Sequence, residues 1–271
     1  MFTCTLDMKV LLSQSVVAVA AWAVLLSSIS TPASSQWLNY PTPGIPRTAD
    51  GKPNLAAPAP KTADGKPDLS GLWMPDDNRH FFDLGVDLLP NEVPSLPWAK
   101  KLSLERQDTN HRDDPLASCL PAGVPRMEAN APFKIVQFPQ LVIVLYETTA
   151  VSTFRQIFTD GRPLPKDPQP TWLGYSVGVW EGDTFKVDAI GFNDRGWIDT
   201  QMGHPQTEAL HLTERFRRSD FGHMEIGYTI DDPKAYAHPW SGSFKVHLMP
   251  DTELLEMTCE NAKDAAHMIG K

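Results

Sequence analysis

From residue 133 onward apolar and polar side chains alternate with a period of two, the spacing of half-buried strands. Residues 134–138 and 141–147 flank a Pro139-Gln140 turn, and 152–158 repeats the pattern. Segments 175–180 and 184–190 are joined by Glu181-Gly182-Asp183, a short hairpin loop. Segments 209–218 and 223–230 turn around residues 219–222, and 243–249 and 253–259 around Pro250-Asp251-Thr252. One face of each strand is dry: Phe185, Val187 and Ala189 alternate with Thr184, Lys186 and Asp188, and Phe244, Val246 and Leu248 with Lys245, His247 and Met249. With 70–74 as a first strand, the pattern predicts an all-β domain, an antiparallel β-barrel of about eight or nine strands. Closure is favoured because it removes exposed strand edges; a two-sheet sandwich is the alternative.

The front half is built differently. Of 25 prolines, 20 lie between Pro41 and Pro170 and only four follow Thr171. Proline breaks helix interiors, so the front half holds no helical bundle. Residues 36–69 read as a proline-rich arm in which Arg47-Thr-Ala-Asp-Gly-Lys-Pro-Asn-Leu55 recurs 14 residues later as Lys61-Thr-Ala-Asp-Gly-Lys-Pro-Asp-Leu69. Asp-Gly-Lys-Pro is turn chemistry, and two copies are too few for a solenoid. Residues 75–132 form a loop-rich insertion with one helix expected over 98–107, inside a single barrel domain spanning 70–271. The tail 261–269 has the pattern of one short helix.

An apolar run over 10–29, followed by small residues at Ala33 and Ser35, marks residues 1–35 as a cleaved signal peptide. Its dense part, 16–26, is short for a membrane span. The expected location is periplasmic or secreted, with no integral membrane association after cleavage. Removing 1–35 leaves two cysteines, Cys119 and Cys259, the count for one disulfide in an oxidising compartment. The formal net charge of −9 argues against a nucleic-acid partner. The chain has no Gly-x-Gly-x-x-Gly after a strand, no phosphate-binding loop, no Gly-x-Ser-x-Gly elbow and no His-Glu-x-x-His. The expected partner is therefore a small molecule, with no cofactor.

Two loops exceed what hairpins need, 159–172 and 191–208, and long ordered loops at a barrel mouth bind ligands or cap the barrel. His204, between Gly203 and Pro205, is the leading acid–base candidate because its ordinary pKa lies near neutrality. Asp194 or Glu208 would orient its ring, and Arg155 or Arg162 would hold developing negative charge. Arg162, Trp172, Tyr175, Phe192 and Trp197 are the candidate ligand-binding residues. His204, Glu208 and His211 have helical metal-ligand spacing, but His211 alternates with Leu210 and Leu212 as in a strand, so no metal site is expected. Glu214 shares a dry face with Leu210, Leu212 and Phe216, and is either a buried acid or the ion-pair partner of an inward arginine such as Arg155. Arg215, Arg217 and Arg218 read as a solvated rim.

The strings Trp37-Leu-Asn-Tyr-Pro-Thr-Pro-Gly-Ile-Pro, Thr159-Asp-Gly-Arg-Pro-Leu-Pro, Gly178-Val-Trp-Glu-Gly-Asp-Thr184, Gly191-Phe-Asn-Asp194, Gly203-His-Pro and Thr213-Glu-Arg-Phe-Arg-Arg218 together resemble an uncharacterised family of exported bacterial proteins. The resemblance spans nearly the whole chain after residue 35. It implies export and one β-rich domain and supplies no catalytic residues. Ser70-Gly-Leu-Trp73 also resembles the Gly-x-Trp opening of lipocalins, and the barrel is expected to be lipocalin-like. Two functions compete at this stage. One is a cofactor-independent lyase, dehydratase or isomerase for a small aromatic or semi-polar substrate. The other is a binding protein for a small hydrophobic ligand.

Overall fold

Nine strands close into a ring in sequence order: β1 (Gly71–Pro75), β2 (Phe133–Phe138), β3 (Leu141–Tyr146), β4 (Thr153–Phe158), β5 (Tyr175–Glu181), β6 (Thr184–Ile190), β7 (His211–Arg218), β8 (His223–Asp231) and β9 (Trp240–Leu248). Two α-helices, α1 (Arg79–Phe82) and α2 (Pro97–Asp108), lie in the insertion between β1 and β2. This computed structural model describes residues 41–89, 92–147 and 153–255. The expected signal peptide, the start of the arm, Cys259 and the tail helix fall outside them.

β1 pairs with both β2 and β9, which closes the ring. Eight neighbouring pairs are antiparallel, but β4 and β5 run parallel. The sequence reading had every pair antiparallel, and parity forbids it. Around a closed ring strand direction must return to its starting sense, so reversals come in even numbers. A nine-strand ring therefore needs at least one parallel pair. A parallel pair needs a connection long enough to travel back along the strands. Residues 159–174, expected to be a mouth loop, are that connection.

Alternation sets the register. Phe185, Val187 and Ala189 are buried and face Phe216, Glu214 and Leu212 across the β6–β7 ladder. The β5–β6 hairpin closes through Gly182-Asp183, with Gly182 at φ 64°, the sign that the twist of a two-residue hairpin demands. Residues 253–255, expected to begin another strand, are not in one. Instead β9 meets β1 directly, and Asp251 accepts hydrogen bonds from the Thr42 N–H and the Arg47 guanidinium of the arm.

The arm is built in. Both copies of the repeat fold into the same turn, closed by bridges Arg47↔Pro53 and Lys61↔Pro67. The Phe221 and Gly222 N–H groups donate to the Ala57 and Leu55 carbonyls, fixing the arm to the β7–β8 turn. Arg218, expected on a solvated rim, is buried there instead. It donates to the Asp68 carbonyl and stacks over Trp73, and burial pulls its pKa down to about 10.

The barrel is packed rather than hollow. Inward residues of eight strands form one cluster, and Trp180 of β5 packs against it. Every residue from Ala122 to Ala129 is buried with them, so part of the insertion fills the interior. No helix among the described residues is long and apolar enough to cross a membrane.

Candidate functional site

The insertion that reads as irregular also builds much of the cleft that holds His204. Residues 197–205 form a tight return, with the bridge Trp197↔Pro205 and a hydrogen bond from the Ile198 N–H to the His204 carbonyl. That pairing brings residue 199 beside residue 204. Gly203 sits at φ 66°, and a Cβ there would press on Arg106 of α2 at 3.1 Å. Helix α2 grips the turn: Arg106 donates to the Gly203 carbonyl at 2.8 Å and Gln107 to the Met202 carbonyl at 3.0 Å. From the other side the Thr200 and Gln201 N–H groups donate to the Phe81 and Phe82 carbonyls of α1.

His204 is 7% exposed, and its Nδ1 lies 2.6 Å from Asp199 Oδ2. Asp199 also accepts from the His204 N–H at 3.0 Å and the Leu84 N–H at 3.1 Å. An ionised carboxylate only accepts, so Nδ1 carries the proton and Nε2 is left for a ligand. Nε2 has no hydrogen bond to a described residue. Burial lowers the His204 pKa, but the charge of Asp199 and its hydrogen bond outweigh this and raise the ring above its ordinary value. Against its own burial, Asp199 is held below the ordinary carboxylate value by His204. Asp83, half-buried, is pushed up by burial and by the charge of Asp199.

Asp83 and His204 line one cleft of about 630 Å³. Its walls are mixed, apolar from Val86, Leu88, Leu89, Val93, Leu104 and Met202 and polar from Ser95, Lys100, Ser103 and Gln107. Asp83, Asp199 and His204 place one donor atom each within 4.8 Å of one another, the one such trio among the described residues. This is the only described set that a cation would fit, although His204 Nδ1 is already committed to Asp199. His204, Glu208 and His211 do not assemble: His211 pairs with Asp188 at 3.1 Å.

The partners expected for His204 are corrected. Asp194 and Glu208 are exposed and line a separate cleft of about 280 Å³ with Lys234. Asn193 Oδ1 accepts from the Arg195 N–H, a tight turn that leaves Asp194 outside. Asp232 grips the Thr207 N–H at 2.6 Å and hydroxyl at 2.7 Å, placing Glu208 on the surface. Asp199, which does the orienting, lies in the same 191–208 loop, where no helix or strand period shows that it meets His204. The signal available was the glycine at 203, which folds the chain back one residue before the histidine.

Arg155 is not at this site. It is buried inside the barrel, 2.6 Å from Glu214 Oε2 and 3.5 Å from Glu128 Oε1, and its Nε donates to Ser176 Oγ at 2.9 Å. The expected Glu214–Arg155 ion pair is thus present, with Glu128 as an unforeseen third member. Tyr146 donates to Glu128 Oε1 at 2.5 Å. Burial, then the charge of Glu214, push Glu128 up to about 8 despite Arg155.

The ligand-binding candidates divide. Trp172 and Tyr175 line a third cleft, at the β4–β5 seam. Arg162 sits on its rim, donating to Tyr175 Oη at 3.1 Å and stacking 3.9 Å over Phe158. Phe192 is fully buried core, pressed against Gly174, and does not line a surface cleft. Trp197 is buried beneath Arg106 at 4.1 Å and supports the His204 turn. No protein-family model, curated protein or solved structure matches this chain.

Proposed function

We propose that this is an exported, cofactor-independent enzyme of lyase, dehydratase or isomerase type, acting on a small aromatic or semi-polar molecule in the His204 cleft. The observation that carries the reading is a histidine locked through Nδ1 by a buried aspartate, with Nε2 left over on the wall of a cleft that also holds Asp83. His204, its pKa raised, is the general acid. Asp83, also raised, is the general base, with an affinity for protons stronger than that of an exposed carboxylate. Asp83 takes a proton from carbon. His204 delivers one from Nε2, to a departing hydroxyl in an elimination or to the far end of the shifted double bond in an isomerisation.

The test is deuterium exchange. A panel of small hydroxy- and carbonyl-bearing aromatic compounds is incubated with the protein in D₂O and followed by NMR. Exchange or conversion at carbon is expected with the wild type and is lowered about 10²–10⁴-fold by His204→Gln or Asp83→Asn. Equal rates in wild type and His204→Gln remove the histidine from the mechanism. The export reading carries a Cys119–Cys259 disulfide, and non-reducing peptide mass mapping should find those two peptides linked.

A further inference from the structure

The parallel pair that parity requires leaves a fault in the barrel wall. β4 and β5 share only two register positions, Ile157↔Ser176 and Phe158↔Val177, whereas neighbours from β5 to β9 share five to eight. Thr153–Gln156 pair fully with β3 and, among the described residues, have no strand on their other side. A cleft of about 400 Å³ opens there, within the usual small-molecule range. Phe154, Phe158, Trp172 and Tyr175 give it aromatic walls, with Phe154 57% exposed. Arg155 and Ser176, 2% and 1% exposed, form its inner end. Behind them Glu128 Oε2, Glu214 Oε1 and Oε2, and Arg155 Nη2 have no hydrogen-bond partner, although Nη2 ion-pairs with Glu214.

We infer that the β4–β5 seam is a second binding site, separate from the His204 cleft, for a neutral aromatic molecule bearing an amide or hydroxyl group. The aromatic walls select a flat apolar body. The open edge of β4 offers backbone N–H and C=O groups to a polar substituent, as strand edges do. Arg155 Nη2 holds Glu214 Oε2, which leaves Glu214 Oε1 to accept and the protonated Glu128 Oε2 to donate, so an amide or hydroxyl that does both matches the inner end. An anionic ligand would bring a second negative charge beside one arginine and is disfavoured. A cationic one gains little, because Glu128, raised to about 8, carries a proton at neutral pH and the cluster has no net charge.

The test uses the full chain labelled with 5-fluorotryptophan, one ¹⁹F signal for each of eight tryptophans. Trp172→Phe identifies the Trp172 signal. Benzamide, benzoate and benzylamine are then titrated separately. Benzamide is expected to move the Trp172 signal saturably, at least fivefold more tightly than benzoate or benzylamine. Phe154→Ser, a change at an exposed position, should weaken it at least fivefold, while His204→Gln should leave it within twofold. No saturable shift with any of the three probes overturns the site. Tighter binding of benzoate or benzylamine overturns the neutral-ligand argument. Binding unchanged by Phe154→Ser, or abolished by His204→Gln, places the probe elsewhere and overturns the separate seam site.

Discussion

Two of the ionic groups buried in this protein are built on opposite logic. At the His204 cleft one histidine meets Asp199, every Asp199 oxygen has a donor, and one ring nitrogen is left over at a cleft wall. Inside the barrel one arginine meets two glutamates, and Glu128 Oε2 and Glu214 Oε1 have no donor. Burial and ion pairing are common to both, so neither marks function. The first group is satisfied and faces a space, so its spare nitrogen is free for chemistry. The second is under-satisfied and its carboxyl groups are wholly buried, with Arg155 alone reaching a cleft wall, so it influences stability first.

The sharpest break of the comparison is Arg155→Met. It leaves Glu128 and Glu214 facing each other in the core without a cation. Removing one partner of a buried pair costs roughly 3–5 kcal/mol, which should appear as a large fall in the urea midpoint. Adding Glu214→Gln should recover much of that loss. A midpoint unchanged by Arg155→Met would mean that the cluster contributes nothing to the fold.

Glu128→Gln asks whether the interior group stores a proton. Glu128 is raised in the folded state to about 8 from an ordinary value of 4.5. The folded protein therefore binds a proton that the unfolded chain has released between those values. The stability linked to this proton is present below 4.5 and is lost as pH rises through about 8, at a slope on the order of 1 kcal/mol per pH unit. Glutamine imitates the protonated acid, so stability against pH should flatten over that window. An unchanged slope in the variant would assign the proton to another group.

The interior cluster was half legible and the cleft less so, for physical reasons. Strand parity put Glu214 on a dry face, and a buried carboxylate needs a cation, which led to Arg155. Glu128 was hidden because it lies in an irregular stretch with no period to show which way it faces. Strand number and hairpin turns followed from alternation, but the parallel β4–β5 pair did not. It follows from closing an odd ring, a property of the assembled sheet that no local pattern records. His204 stood out between Gly203 and Pro205. Asp83 and Asp199 did not, because long-range hydrogen bonds to α1, α2 and their neighbouring loops set the cleft geometry.

The smallest effect is the most diagnostic of the cleft. Asp199→Asn keeps a side chain of the same shape but removes the charge that holds His204 protonated. In the wild type the folded His204 pKa is raised, so its contribution to stability is complete below the unfolded value and is lost as pH rises through the folded value. In the variant burial acts without the opposing charge, and burial lowers a histidine pKa. The His204 ring signal, followed by NMR, should then titrate below its ordinary value instead of above it. The sign of the linked stability reverses with it, and this contribution now grows with pH in a lower window, between the lowered folded value and the unfolded value. The expected net loss at neutral pH is about 1–2 kcal/mol, the scale of one hydrogen bond to a charged group. Because Glu128 also loses stability as pH rises, the reversal is best read in a Glu128→Gln background, where the interior slope is absent. A His204 titration that Asp199→Asn does not move would show that the aspartate holds the loop rather than the proton, and the cleft would lose its claim to acid–base chemistry.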